Sequence, residues 1–117
     1  IITGIRSIKK PVIGAINGVA AGAGANIALA CDVVVAHEKS SFIQAFSLIG
    51  LVPDSGGTFF LPRLIGFQKA LALAMLGDKV SAEEAEKVCQ YGSGHLELDH
   101  RTSGDLCPDH YDRAPAL

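Results

Sequence analysis

The chain has 117 residues, 49% of them hydrophobic, with 13 glycines, no tryptophan, and 10 Lys+Arg against 12 Asp+Glu. This composition allows at most one small folded domain and makes disorder the wrong default. A net charge of -2 supplies no long-range field to gather a polyanion, and no basic stripe stands out, so nucleic acid is not an expected partner.

Three cysteines, at positions 31, 89 and 107, are an odd number and make no disulfide framework. No charged, apolar, small-residue signal opens the chain, and the expected setting is a reducing cytoplasm. The chain begins at Ile1 and goes almost at once into Pro11-Val12-Ile13, which reads as a piece of something longer.

From Pro11 to Cys31 no residue is charged, a 21-residue run in which Gly14, Gly18 and Gly22 fall at GxxxG spacing. Its length would span a bilayer. Asn17, Asn26, four glycines and the immediately following Asp32 argue against a span, and no membrane partner is expected. The better parse is a buried strand over 12–16, a glycine-rich loop over 17–24, a helix opening near Ala23 to Asn26, and a second buried strand over 32–36. Strand, loop, helix, strand is an α/β signature.

Downstream, Ser41-Phe42-Ile43-Gln44 is a short strand candidate, and residues 50–57 form an extended loop turning at Gly56-Gly57. Helices are expected over 58–65 despite Pro62, and over 67–76 closed by Gly77. Ser81-Ala82-Glu83-Glu84 is a capping box that starts a third. Residues 1–88 carry eight basic and seven acidic side chains, whereas 89–117 carry two and five and hold three of the four histidines. Without an apolar period, 89–117 reads as loop or disorder, an atypical tail on a partial domain over 1–88.

Gly22-Ala23-Gly24 lies where a strand gives way to a helix, so its backbone N–H groups are free. Two readings stand: an anion or oxyanion cradle, or small residues that let the helix pack close to the sheet. A dinucleotide fingerprint lacks its third glycine, and a phosphate loop lacks its Gly-Lys-Ser/Thr. Asp54 follows Pro53 in an apolar stretch. It is either a carboxylate in a poorly hydrated pocket, with a raised pKa and a general-base role, or the cap of the next helix.

Asp54-Ser55-Gly56-Gly57 has the look of a serine-protease nucleophile loop, but no early His and Asp complete a triad around Ser55. Cys89, His95, His100, Cys107 and His110 lack the paired spacings of a zinc site, so no metal is expected. Cys31 reads as core.

Lys10-Pro11-Val12-Ile13-Gly14-Ala15-Ile16-Asn17-Gly18, Ala21-Gly22-Ala23-Gly24-Ala25-Asn26 and Ala30-Cys31-Asp32 resemble the central segment of the enoyl-CoA hydratase/isomerase (crotonase) family. The resemblance continues through Phe42-Ile43-Gln44, Gly50-Leu51-Val52-Pro53, Gly56-Gly57-Thr58, Leu61-Pro62-Arg63 and residues 77–85, covering about 5 to 88. It implies an α/β spiral of ββα units, usually a homotrimer or hexamer. It further implies an acyl-CoA thioester as substrate, CoA being part of that substrate and no separate cofactor being needed. An oxyanion hole of two backbone N–H groups is implied as well. One donor maps onto Ala23, flanked by Gly22 and Gly24, and fixed dipoles there would stabilise charge developing on the thioester oxygen. The other donor belongs to a segment that would precede Ile1.

The two glutamates of the family's hydratases correspond to Asn26 and Phe46, neither of which can act as acid or base. The carboxylate of its double-bond isomerases corresponds to Asp54. Residues 42–47 with 52–57 most resemble the branch that converts epoxyphenylacetyl-CoA to its oxepin form and also shifts 3-enoyl to 2-enoyl double bonds. There Phe46, and with it Phe42, would keep the pocket dry, with Gly56 beside the substrate. From Cys89-Gln90-Tyr91-Gly92 onward the sequence departs from the family, which suggests a truncated or frame-shifted product.

Overall fold

The structure is a computed structural model that describes residues 1–90 and 96–99. A short helix α1 (Ile2–Ser7) precedes β1 (Ile13–Ile16), β2 (Val19–Ala21), α2 (Ala23–Leu29), β3 (Val33–His37) and β4 (Ser41–Ile43). After a 3-10 turn (Ser47–Ile49) come α3 (Gly57–Ile65), α4 (Phe67–Leu76), β5 (Lys79–Ser81), α5 (Ala82–Gln90) and β6 (Leu96–Asp99).

The order β-β-α occurs twice, as β1-β2-α2 and β3-β4-α3. The second unit lies on the first: β1 pairs in parallel with β3, Ile13 opposite Val33, and β2 in parallel with β4, Val19 opposite Ser41. Two walls of three strands result, β1-β3-β6 and β2-β4-β5. This is a spiral of ββα coils, as the family resemblance implies.

Paired residues are 20 apart along the chain in the first wall and 22 apart in the second. The longer corner of the second coil takes up the difference. There Ser40 donates its N–H to the His37 carbonyl at 2.8 Å, and Lys39 donates to His37 Nδ1 at 3.1 Å. The Ser40 hydroxyl also accepts from Gly18 N–H at 3.0 Å and donates to the Ile16 carbonyl at 2.9 Å. One serine therefore joins the corners of both coils and satisfies backbone groups that the strands leave unpaired.

Small residues set the spacing between helix and walls. Ala25, Ala28 and Ala30 of α2 and its end, with Ala20 and Ala36 of the strands, are all buried, which allows close packing without voids. Asp32 anchors the start of the first wall: its carboxylate accepts Val12 N–H at 2.8 Å and pairs with Arg6 of α1 at 3.0 Å.

The glycine-rich segment 17–24, expected as loop, contains β2. Val19-Ala20-Ala21 has little strand propensity of its own, and pairing with β4 decides it. The stretch 89–117, expected to be without structure, departs from that expectation at two places. α5 runs through Cys89 to Gln90, and Leu96–Asp99 pairs in parallel with β3, Leu96 opposite Val34. The edge of β3 offers backbone donors and acceptors whatever the side-chain period of the incoming strand. Residues 91–95 and 100–117, with His95, His100, Cys107 and His110, lie outside the described residues.

Local signals hold elsewhere. Gly77 ends α4 in the left-handed region, and Ser81 Oγ accepts Glu84 N–H at 3.2 Å where α5 begins. Among the described residues no helix is long and apolar enough to cross a membrane; β1, β2 and α2 divide the uncharged run between them.

Candidate active site

The site forms where α2 of the first coil meets the loop that leads into α3 of the second. Gly22 donates its N–H to the Ile43 carbonyl at 2.8 Å, extending β2, and then turns the chain at φ 55. That conformation favours glycine. Ala23 follows as the first residue of α2, half-buried, so its N–H has no acceptor within the helix.

Phe46 is buried, and a Cβ on Gly22 would stand 3.7 Å from its ring. The ring thus packs against the Gly22 turn. Phe42 does not join it. It lines an apolar cavity on the side of α3, α4 and α5, with Leu61, Leu73 and Val88. Gly24 is exposed, and a Cβ there would meet nothing within 4 Å. Packing therefore does not require glycine at this position.

Asp54 is exposed, which overturns the expectation of a poorly hydrated carboxylate in this chain. Its apolar neighbours Leu51 and Val52 are themselves 58% and 82% exposed and do not fold over it. The backbone of Asp54 is nonetheless firmly held: its carbonyl accepts Asn26 Nδ2 at 2.8 Å and Gly57 N–H at 2.9 Å. Its carboxylate makes no hydrogen bond or ion pair among the described residues. Asp54 therefore does not cap α3 with its side chain; the cap is Gly56, at φ 75. Ser55 before it also lies in the left-handed region, at φ 50, so backbone strain is concentrated next to Asp54.

Gly56, expected beside the substrate, has a packing reason of its own: a Cβ there would stand 2.9 Å from Phe60 Cε2. Among the described residues Ser55 has no hydrogen bond to His37, whose Nδ1 accepts the Lys39 N–H, and no protease constellation forms around it. Among the described residues no cluster of three or more His, Cys, Asp or Glu could hold a metal.

Cys31, expected in the core, is only half-buried, its thiol 3.6 Å from the Ile27 carbonyl. Desolvation, and then the neighbouring Asp32 charge, push its pKa up. Burial alone pushes up that of Cys89.

The sequence reading missed how the site is tied together. Asn26 is fully buried and bridges Gln44 to the Asp54 carbonyl. The available signal was an amide in the middle of an otherwise apolar helix.

The family description "Enoyl-CoA hydratase/isomerase" matches residues 1–89. A probable enoyl-CoA hydratase of Rhodobacter capsulatus is 50% identical over 88 residues, covering 75% of this chain and 34% of that protein. The 1,2-epoxyphenylacetyl-CoA isomerase of Escherichia coli is 49% identical over 101 residues, covering 86% and 37%. Among solved structures, a putative enoyl-CoA hydratase/isomerase from Mycobacterium abscessus superposes with a TM-score of 0.78 at 37% identity, covering 96% of this chain and 42% of that one. The chain spans about a third of the length of these curated relatives. With its two stacked ββα coils forming part of the crotonase fold, the chain belongs to the enoyl-CoA hydratase/isomerase family.

Proposed function

We propose that this chain supplies the catalytic carboxylate and one oxyanion donor of an acyl-CoA isomerase. The reaction is the shift of a 3-enoyl-CoA to the 2-enoyl-CoA, or the opening of an epoxyphenylacetyl-CoA to its oxepin. The observation that carries this reading is Asp54, a carboxylate with no partner among the described residues on a backbone fixed by two hydrogen bonds. The 49% identical Escherichia coli protein is named as an isomerase of that second kind, and a 46% identical protein of Streptococcus mutans as a trans-2-decenoyl-[acyl-carrier-protein] isomerase.

In the double-bond shift, the Asp54 carboxylate takes a proton from C2 of the acyl chain. The electron pair delocalises onto the thioester oxygen, where the Ala23 N–H stabilises it. The same carboxyl group then returns the proton to C4, and the double bond moves into conjugation. No water is consumed, so the mass of the acyl group does not change. One general base supplies about 100- to 10,000-fold of such a rate, and one oxyanion donor about 100- to 1000-fold.

Hydration is the second reading, favoured by the 50% identical Rhodobacter capsulatus protein named as a probable hydratase. Against it, Asn26 and Phe46 offer no titratable proton to activate water. Incubation with a 3-enoyl-CoA, followed by mass spectrometry and ultraviolet detection of the conjugated thioester, separates the two. The expected outcome is a product of unchanged mass, with Asp54→Asn lowering kcat about 100-fold or more. Gain of one water from a 2-enoyl-CoA, undiminished by Asp54→Asn, would overturn the isomerase reading.

A further inference from the structure

Asn26 is fully buried in a helix whose other buried residues are alanines. Both ends of its amide are used. Gln44 Nε2 donates to Asn26 Oδ1 at 2.8 Å, and Asn26 Nδ2 donates to the Asp54 carbonyl at 2.8 Å. Donation runs in one direction, from the end of β4 through α2 to the turn that carries Asp54. The Asp54 carbonyl, which can only accept, fixes which way the Asn26 amide faces, and Asn26 Oδ1 in turn orients the Gln44 amide.

Two further features belong to this bridge. Gly57 leaves room for it, because a Cβ at position 57 would stand 2.7 Å from Asn26 Cγ. Gln44 Oε1 is buried without a hydrogen-bond partner among the described residues, so the bridge is kept in the core at a cost that an apolar pair would avoid. A polar pair retained at such a cost serves geometry before stability. Ala23 and Asn26 are three residues apart in α2 and share a face, so the segment that presents the Ala23 N–H also grips the Asp54 peptide.

We infer that Asn26 is a positioning residue: its amide holds the peptide of Asp54 at a fixed place relative to Ala23, so that the base and the oxyanion donor move as one body. This inference rests on the proposed role of Asp54 as base. Loosening the turn would let the carboxylate drift, and a displacement on the order of 1 Å can cost about 100-fold in rate.

Two variants of the full chain test it. Asn26→Ala removes the bridge, and Asn26→Asp keeps its shape but loses the donor. The first measurement, amide hydrogen exchange by NMR, needs no turnover. Exchange at the Gly57 N–H, which bonds the same Asp54 carbonyl, is expected to quicken about tenfold or more in both variants, since opening of the turn governs it. Exchange in β1 and β3 is expected to stay as it is.

The second measurement is steady-state kinetics, with kcat expected to fall about 10- to 100-fold and KM to stay within about twofold. Gly57 exchange that is unchanged in Asn26→Asp, or acceleration spread evenly over the chain, would overturn the inference. Full turnover in Asp54→Asn would instead remove the base role, and Gly57 exchange would still decide whether Asn26 holds the turn.

Discussion

Asn26 and Phe46, which the family resemblance sets at the positions of the hydratase glutamates, each have another task in this fold. Asn26 spends its amide on Gln44 and Asp54, and Phe46 packs against the Gly22 turn. The role proposed for Asp54 rests on its residue type and its place in the motif. Its exposure was not legible in the sequence, because burial depends on which distant segments fold over Val52 and Pro53. The bridge was equally hidden, since its partners lie 18 and 28 residues away along the chain.

The thiols give a residue-scale test of electrostatics. Both are held above the usual thiol range, Cys31 by desolvation and then by Asp32, Cys89 by burial. Thiolate at either site is therefore scarcer at neutral pH than on a free cysteine, and alkylation should rise with pH later than in the urea-unfolded chain. Asp32→Asn removes a negative charge that opposes the Cys31 thiolate. It is expected to speed iodoacetamide labelling of Cys31 several-fold at neutral pH while leaving Cys89 unchanged, as read by peptide mass spectrometry.

Elements with a local signal were legible in the sequence. The Ser81 cap, the Gly77 stop and the apolar run of α4 each need only neighbours within a turn or two. β2 and β6 were not legible, because each exists through a partner strand, β4 and β3 respectively. Two glycines at helix ends separate conformational need from ligand need. Gly77 sits at φ 68, and a Cβ would stand 2.8 Å from Leu48 Cγ. Gly77→Ala is expected to cost about 1–2 kcal/mol in urea unfolding from the left-handed conformation alone. Gly24→Ala meets open space in a helix and is expected to gain about 0.5–1 kcal/mol. If Gly24→Ala also slows turnover of a 3-enoyl-CoA, the glycine is there for the approach of a ligand, which settles the choice that the sequence left open between cradle and close packing.

On the scale of the whole molecule, the site belongs to neither coil alone. Ala23 and Asn26 come from the first ββα unit and Asp54 from the loop between β4 and α3 of the second, so only stacked coils bring them together. Loop closure over some 20 residues per coil precedes any contact that rewards it, as the spacing of the wall registers requires. The spiral was legible as an α/β pattern and through the family resemblance, whereas its seam through the site became visible only once register was known.

The unequal spacing of the two walls carries a consequence of parity. The spacing between paired residues in β2 and β4 exceeds that between β1 and β3 by an even number of residues, so β4 keeps its inward and outward sides relative to the first wall. Removing Lys39 alone would make the difference odd and swap those sides throughout β4, turning Gln44 away from Asn26 and taking the Ile43 carbonyl from Gly22. Removing Glu38 and Lys39 together would restore the even count. The shorter deletion is therefore expected to do more damage than the longer one, in thermal unfolding and in Gly57 exchange alike. In this spiral, whether an insertion at a corner is odd or even matters more than how long it is.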